Sequence, residues 1–445
     1  MSVSVIIPVY NAAAHLKTCL THLARWPAGP LELIVVDDGS TDESAEVARS
    51  FGAVVLSTGG RKGPARARNL GARAARGEIL FFIDSDVCVH PDTLERVRKD
   101  FKENPELDAL IGSYDSSPQS PDFISQYKNL MHSFVHQTGR QEACTFWSGC
   151  GAIRREVFLR HAGFDESYGR PAIEDIELGY RLRQAGRHMI LDKDLQVTHL
   201  KHWTFWNLLK TDVLDRGIPW TELILRDRYM PNDLNLELSQ RVSVALAFLL
   251  VGLALAAAAL WRGYFVIPIL ALLVFLLAAY WLEFASGKRP IPVLVGTGAL
   301  VGVVVWMAYT YRMTPILPPL LLGCLLLVLR HRYAYASLRR RRFTGIILAI
   351  YILGATAYFL THLPRHPLIF SFFLVAAAIV VINNQFYMFL AVKQGRLFAL
   401  AAVPFHLLYH LYNGISFVAG FAHYCWRKLT RRTARACSGS TVSRQ

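Results

Sequence analysis

Gly77-Glu78-Ile79-Leu80-Phe81-Phe82-Ile83-Asp84-Ser85-Asp86 is the stretch that decides the fold. Five consecutive apolar residues after a glycine read as a strand buried on both faces of an α/β sheet. Two carboxylates one residue apart follow at its carboxyl end, where open α/β sheets place their ligands. Such a pair can hold Mg²⁺ or Mn²⁺, and either cation bridges readily to a diphosphate. Asp and Ser also favour ordinary turns, so the pair alone leaves both readings open.

Outward from this strand, residues 1–115 alternate strands and helices. Strands are expected at 3–8, 32–37, 53–57, 79–84 and 108–113, and helices near 11–26, 41–51, 64–76 and 91–103. This order implies a mostly parallel central sheet built of right-handed βαβ units. Val3-Ser4-Val5-Ile6-Ile7 reads as the first strand rather than a leader segment. Residues 114–240 are less regular, richer in aromatics, and read as the second half of the domain.

Charge divides the chain. Its formal net charge is +15, yet residues 241–445 hold 20 Lys and Arg against one acid, Glu283, while residues 1–240 hold 28 basic against 32 acidic residues. The basicity belongs to a strongly apolar second half, and the front domain has no basic face for nucleic acid. Apolar spans run roughly 242–261, 264–284, 291–311, 314–329, 343–361, 367–392 and 397–425. They imply an all-α transmembrane domain over 241–426, of six or seven spans, with 397–425 the candidate re-entrant segment. Basic clusters at Lys288-Arg289, Arg330 to Arg342 and Lys393 to Arg396 fit a cytoplasmic front domain. Residues 203–240 read as amphipathic interfacial helices and linker, and 427–445 as a basic, disordered tail. The expected location is the cell's inner or plasma membrane. Seven scattered cysteines without CxxC spacing indicate neither a zinc site nor a disulfide framework.

Further segments carry chemistry. The first strand runs into Pro8-Val9-Tyr10-Asn11 and the second into Asp37-Asp38-Gly39-Ser40. Gly63-Pro64 reads as a turn into a helix, whose start attracts phosphate through free N–H groups, with Arg66 and Arg68 close by. A solvated basic face is the simpler reading for Arg73 and Arg76. Glu174-Asp175 opens a helix, where acidic residues often serve only as dipole partners.

Taken together, Val5-Ile6-Ile7-Pro8-Val9-Tyr10-Asn11, Asp37-Asp38-Gly39-Ser40 and Asp84-Ser85-Asp86 resemble, in order and spacing, the family 2 glycosyltransferases with the GT-A fold, over residues 1 to about 220. The resemblance implies a GT-A catalytic domain over 1–202, its donor half about 1–115 and its acceptor half about 116–202. It implies a nucleotide-sugar donor contacted by Pro8, Tyr10, Asp38, Arg68, Asn69 and Asp84. Asp86 would ligate the metal, joined by His199. Asp175 would be the general base, oriented by Glu174. Gly149, in Ser148-Gly149-Cys150-Gly151, would lie under the transferred sugar, with Trp203 and Trp220 offering faces to an acceptor. Asp215-Arg216-Gly217-Ile218-Pro219-Trp220 sits where processive relatives carry QxxRW but departs from it, with Asp for Gln and Arg not adjacent to Trp.

The expectation is an inverting, metal-dependent membrane glycosyltransferase acting on a hydroxyl of a lipid or lipid-linked glycan. A phosphate acceptor needs no base, and Glu174-Asp175 therefore favours a hydroxyl. The alternatives are a processive polysaccharide synthase, a polyprenyl-phosphate glycosyltransferase, and a lipid or glycan transporter with a regulatory head.

Overall fold

The computed structural model describes residues 1–27, 29–260 and 367–439. The chain divides into two compact units, Met1–Arg241 with Tyr412–Gln445, and Val242–Leu411.

The first unit is built on one eight-stranded sheet. Its strands are β1 (Val3–Val9), β2 (Glu32–Asp37), β3 (Val54–Ser57), β4 (Ile79–Ile83), β5 (Val87–Val89), β6 (Ala109–Tyr114), β7 (Cys150–Arg154) and β8 (Met189–His199), in the order β3-β2-β1-β4-β7-β6-β8-β5. The expected strands and helices of residues 1–115 are present, with α1 (Ala13–Leu23), α2 (Ser44–Ser50), α3 (Pro64–Ala74) and α4 (Thr93–Glu103) between them. β1 to β4 are parallel, as their helical crossovers require. The expectation of a mostly parallel sheet holds only for this half. β7 runs antiparallel to both β4 and β6, and β5 antiparallel to β8. β5 is an addition to the expected set: three residues are too few to show a period.

Apolar residues fill both faces. Every residue of β4 is fully buried, as its unbroken apolar run requires. Phe82 packs against Phe158 and Phe164, each with ring centres 5.2 Å away, and Phe146 at 6.3 Å. Truncating such a ring to alanine typically costs about 3–5 kcal/mol. The register sets the site. β4 and β7 pair Phe82 with Gly151 and Ile83 with Cys150, so Asp84-Ser85-Asp86 leaves the sheet beside Ser148-Gly149.

α5 (Phe123–Thr138), α6 (Arg155–Arg160) and α7 (Glu174–Gln184) complete the sheet's cover. Beyond β8 come α8 (Phe205–Lys210), a π-helical turn (Thr211–Gly217) and α9 (Ile218–Asp227). Lys128 of α5 donates to both oxygens of Asp212 at 2.8 and 2.7 Å, and the Tyr412 hydroxyl donates to Asp212 at 2.7 Å. All three side chains are buried. This network fixes the π-turn from two sides, and such turns recur at functional sites.

In the second unit, α10 (Leu238–Leu260) is long and apolar enough over Leu238–Ala256 to cross a membrane. α11 (Pro367–Ile382) and α12 (Asn384–Gln394) are bent by 64° at their break and pass that test only as a pair. Asn383 donates to Ser243 at 2.9 Å. The spans expected at 264–284, 291–311, 314–329 and 343–361 lie outside the described residues. The segment expected to be re-entrant is instead part of one continuous helix, α13 (Arg396–Gly439), with Pro404 inside it. The tail expected to be disordered is likewise helical to Gly439, because Arg427 to Ala436 is rich in good helix formers and carries no breaker.

Candidate active site

Asp84 and Asp86 meet different neighbours. Arg68, from the inward face of α3, donates to Asp84 at 2.6 Å and to Glu174 at 2.9 Å, with its side chain almost fully buried. Burial works against the Arg68 charge, but Asp84 and Glu174 outweigh it and hold the guanidinium above its ordinary pKa. Burial raises the Glu174 pKa, against the pull of Arg68. The second Glu174 oxygen accepts from the Ala172 N–H at 3.0 Å.

Arg68 is therefore a tie between the strand end and Glu174 rather than a group free to meet a diphosphate. Asn69 is also turned inward: its amide donates to the Phe164 carbonyl at 2.8 Å and accepts from the Phe164 N–H at 2.9 Å. Both positions follow from α3, whose buried stripe is Ala65, Ala67 to Asn69, Gly71 and Ala72. Gly63, at φ +97°, turns the chain into this helix, and a side chain there would meet the Gly169 backbone at 2.8 Å.

On the other side of the cleft, His199 Nε2 lies 3.5 Å from Asp86 Oδ2. Its ring stacks on Tyr114, centre to centre 4.5 Å, and Nδ1 lies 2.8 Å from Asn129 Oδ1. The tautomer follows from Trp203. An indole N–H only donates, and Trp203 Nε1 lies 3.2 Å from the same Asn129 oxygen. That atom is thus the acceptor, His199 Nδ1 carries the proton, and in the neutral ring the Nε2 lone pair faces the Asp86 carboxylate. A cation between the two relieves that opposition, and a second ring nitrogen held by a neighbouring acceptor is the usual arrangement of a metal-ligating His. Asp86 and His199 are the pair that could hold Mg²⁺ or Mn²⁺. Among the described residues no group of three or more His, Cys, Asp or Glu is placed to hold a metal ion. Burial opposes ionisation of Asp86, but the positive charge of a protonated His199, with Lys201, holds it well below the carboxylate range.

Asp175 reaches this corner through the Ser148-Gly149 backbone. Its Oδ2 accepts from the Ser148 N–H and hydroxyl, both at 3.1 Å, and its Oδ1 from the Ile176 N–H at 2.8 Å. Ser148 is followed by Gly149, whose carbonyl accepts from the Asp84 N–H at 3.4 Å. A side chain at Gly149 would overlap the Trp147 indole, so the glycine makes room for that ring. Asp175 is half-buried and reachable.

At the far edge of the cleft, Asp38 is buried and accepts from Thr58, from the Lys62 N–H and from the Gly63 N–H, each at 2.8 Å. It fastens the turn that starts α3, with about one acceptor position left for a base edge. Pro8 is buried in β1. Tyr10 is 39 % exposed, with the Arg61 guanidinium 4.4 Å above its ring centre.

Two expected acceptor contacts are corrected by their surroundings. Trp203 is 1 % exposed and packed against Lys201 and Lys128, which leaves no face for a sugar. Trp220 commits its indole N–H to Tyr180 at 3.1 Å and packs in a small cluster with Ile173, Tyr180 and Leu223. His202 pairs with Asp122 at 3.4 Å, away from the cleft.

Four residues that the sequence does not single out belong to the site. Asn129 holds His199. Tyr114 floors it, its pKa raised by burial and by Asp86. Lys201 and Arg216 make no ion pair among the described residues. Lys201 is lowered by burial and raised by Asp86, and Arg216 acts on Lys201 and on His136, which burial and Arg216 push down to about 4. Lys201 thus lies within electrostatic reach of both Asp86 and Arg216. The departure of Asp215 to Trp220 from a known pattern is the one sequence signal for Arg216.

Residues 4–161 match the family model described as glycosyl transferase family 2. Glycosyltransferase GlyG of Streptococcus pneumoniae is 33 % identical over 162 residues, covering 35 % of this chain and 54 % of GlyG. Validoxylamine A glucosyltransferase of Streptomyces hygroscopicus is 29 % identical over 231 residues, covering 43 % of this chain and 50 % of that protein. The chain thus spans about half the length of the curated relatives it matches. Among solved structures, S. aureus TarS 1–349 in complex with UDP-GlcNAc is 20 % identical, covers 51 % of this chain and 66 % of TarS 1–349, and has a TM-score of 0.40. Residues 4–161 are thus similar to the glycosyl transferase family 2 domain, and the named relatives are glycosyltransferases.

Proposed function

We propose that this chain is an inverting, metal-dependent glycosyltransferase that works at a membrane, moving a sugar from a nucleotide-sugar to a hydroxyl of a lipid or lipid-linked glycan. The observation that carries this reading is the convergence of Asp175, Ser148-Gly149 and Asp84-Ser85-Asp86 at one end of β4 and β7. It puts a fixed carboxylate beside the corner suited to a donor's diphosphate.

The base of the donor stacks at Tyr10 and reaches the Asp38 turn. Its ribose and sugar lie towards Asp84, and its diphosphate between Asp86, Lys201 and Arg216. A divalent cation held by Asp86 and His199 would offset the charge on the departing diphosphate. Asp175 takes the proton of the acceptor hydroxyl as its oxygen attacks the anomeric carbon. The new C–O bond forms as the bond to the diphosphate breaks on the opposite face, its electron pair leaving with the diphosphate oxygen, so the configuration inverts. Arg68 and Glu174 keep the corner and the base in register. Membrane association rests on the long apolar second half and on α10. The basic clusters between the apolar spans favour a catalytic domain that faces the cytoplasm.

Purified full-length protein with UDP-, GDP- and dTDP-sugars, a divalent cation and membrane lipid extract tests this. Release of nucleoside diphosphate with a product of inverted anomeric configuration is expected. Binding of none of these donors would overturn the reading.

A further inference from the structure

A cavity of about 880 Å³ opens between the stretch Asp165 to Arg170, the π-turn with α9, and the part of α13 beyond Tyr412. Its volume is that of a typical ligand site. Its lining is of two kinds. Leu214, Ile218 and Leu223 give an apolar wall, and Leu214 is 46 % exposed there. Arg170, Arg427 and Lys428 give a cationic rim beside the lining carboxylates Asp165 and Glu222, and the lining Arg226 is held by Glu177 at 3.2 Å and Asp227 at 2.6 Å. Arg170 pairs with Asp215 at 3.3 Å and Arg427 with Glu222 at 3.1 Å, each arginine more than half exposed, so these pairs hold weakly and can yield to a stronger anion. Lys428 makes no ion pair among the described residues.

The cavity shares its walls with the donor cleft. Gly169, in the stretch that bounds it, packs on the Gly63 turn. Leu214 and Ile218 line it from the same π-turn and helix start that carry Arg216 towards Lys201. An apolar wall with an excess of cations selects neither a neutral glycan nor a free inorganic anion. It selects a phosphate joined to an apolar chain.

We propose that this cavity holds the diphosphate end of a lipid-linked acceptor, so that the attached glycan reaches Asp175 past the 165–170 stretch. The inference rests on the lipid-linked reading above and assigns that acceptor a seat.

The test uses the full chain in an uncharged detergent and three probes: farnesyl diphosphate, farnesol and inorganic diphosphate. Farnesyl diphosphate is expected to bind at least tenfold more tightly than either of the others, and a saturating nucleotide-sugar should not displace it. In the double variant Arg170→Glu/Lys428→Glu its Kd should rise at least tenfold, with nucleotide-sugar affinity unchanged as the check on folding. Unchanged farnesyl diphosphate affinity in the variant, displacement by nucleotide-sugar, or no binding to the wild type overturns the proposal. So does equal competition from phosphatidylglycerol nanodiscs, which would make the cavity a general anionic-lipid anchor. Nucleotide-sugar binding without farnesyl diphosphate binding removes only this seat. Loss of both in the wild type removes the glycosyltransferase reading itself.

Discussion

The α3 side of the cleft and the β8 side handle the same kind of charge in opposite ways. On the α3 side, Arg68 answers both Asp84 and Glu174, and Asp38 is met by three donors. On the β8 side, Asp86 faces an imidazole nitrogen held as an acceptor, and Lys201 and Arg216 stand without carboxylate partners among the described residues. The first arrangement is complete in the protein alone and gives rigidity. The second, on the function proposed, is the side that a cation and a diphosphate would complete.

The contrast can be broken at several points. The largest expected effect is at Asp175. Asp175→Asn keeps the hydrogen bond from Ser148 but cannot take a proton, and should lower turnover roughly 10²- to 10⁴-fold while donor affinity stays unchanged in a binding titration. Near-wild-type turnover would remove the base. Next is Arg68. Arg68→Met strands two carboxylates, one of them buried, and should cost about 3–5 kcal/mol of unfolding free energy in urea. Adding Glu174→Gln should recover part of that loss; no loss in the single variant would mean that the α3 side is not a scaffold.

Asn129 reports on the unfinished side. Asn129→Leu removes the acceptor that sets the His199 tautomer and should weaken Mn²⁺ binding about 10- to 100-fold, whereas Asn129→Asp keeps the oxygen and should retain most of it. Equal loss in both variants would reduce Asn129 to packing. The smallest effect is outside the cleft, at a carboxylate pushed up by burial and a like charge. Burial and Asp192 raise Asp100 to about 6. A raised folded-state pKa gives stability that is present below the unfolded value and lost as pH rises through about 6. Asp100→Asn should therefore stabilise the protein at pH 7 and not at pH 4. The gain is about 1 kcal/mol after discounting for a half-exposed site. A gain of equal size at both pH values would mean that charge is not the cause.

Much of the donor half is legible in the chain. β1, β2 and β4 are apolar runs that end on polar residues, and that pattern alone puts Asp38, Asp84 and Asp86 at one sheet edge. α3 stands where the sequence puts it, but the partners of its side chains are not legible. Arg68 and Asn69 are expected as donor contacts, whereas on α3 they lie on the inward face, Arg68 between Asp84 and Glu174 and Asn69 against the Phe164 backbone. Asn129 lies in the middle of an ordinary helix, and its partner His199 is 70 residues away. Trp203 reads as an exposed aromatic because the Asn129 and Ser125 groups that bury it come from α5. Long-range pairing of polar groups leaves no period in a sequence, whereas strands and helix starts do.

The central claim is that Asp86 and His199 form a cation corner that completes the donor site. Nucleotide-sugar affinity should be measured with and without Mn²⁺ on the wild type and on Asp86→Ala. The account predicts that Mn²⁺ strengthens binding to the wild type and has no effect on the variant. Cation-strengthened binding that persists undiminished in Asp86→Ala would contradict it.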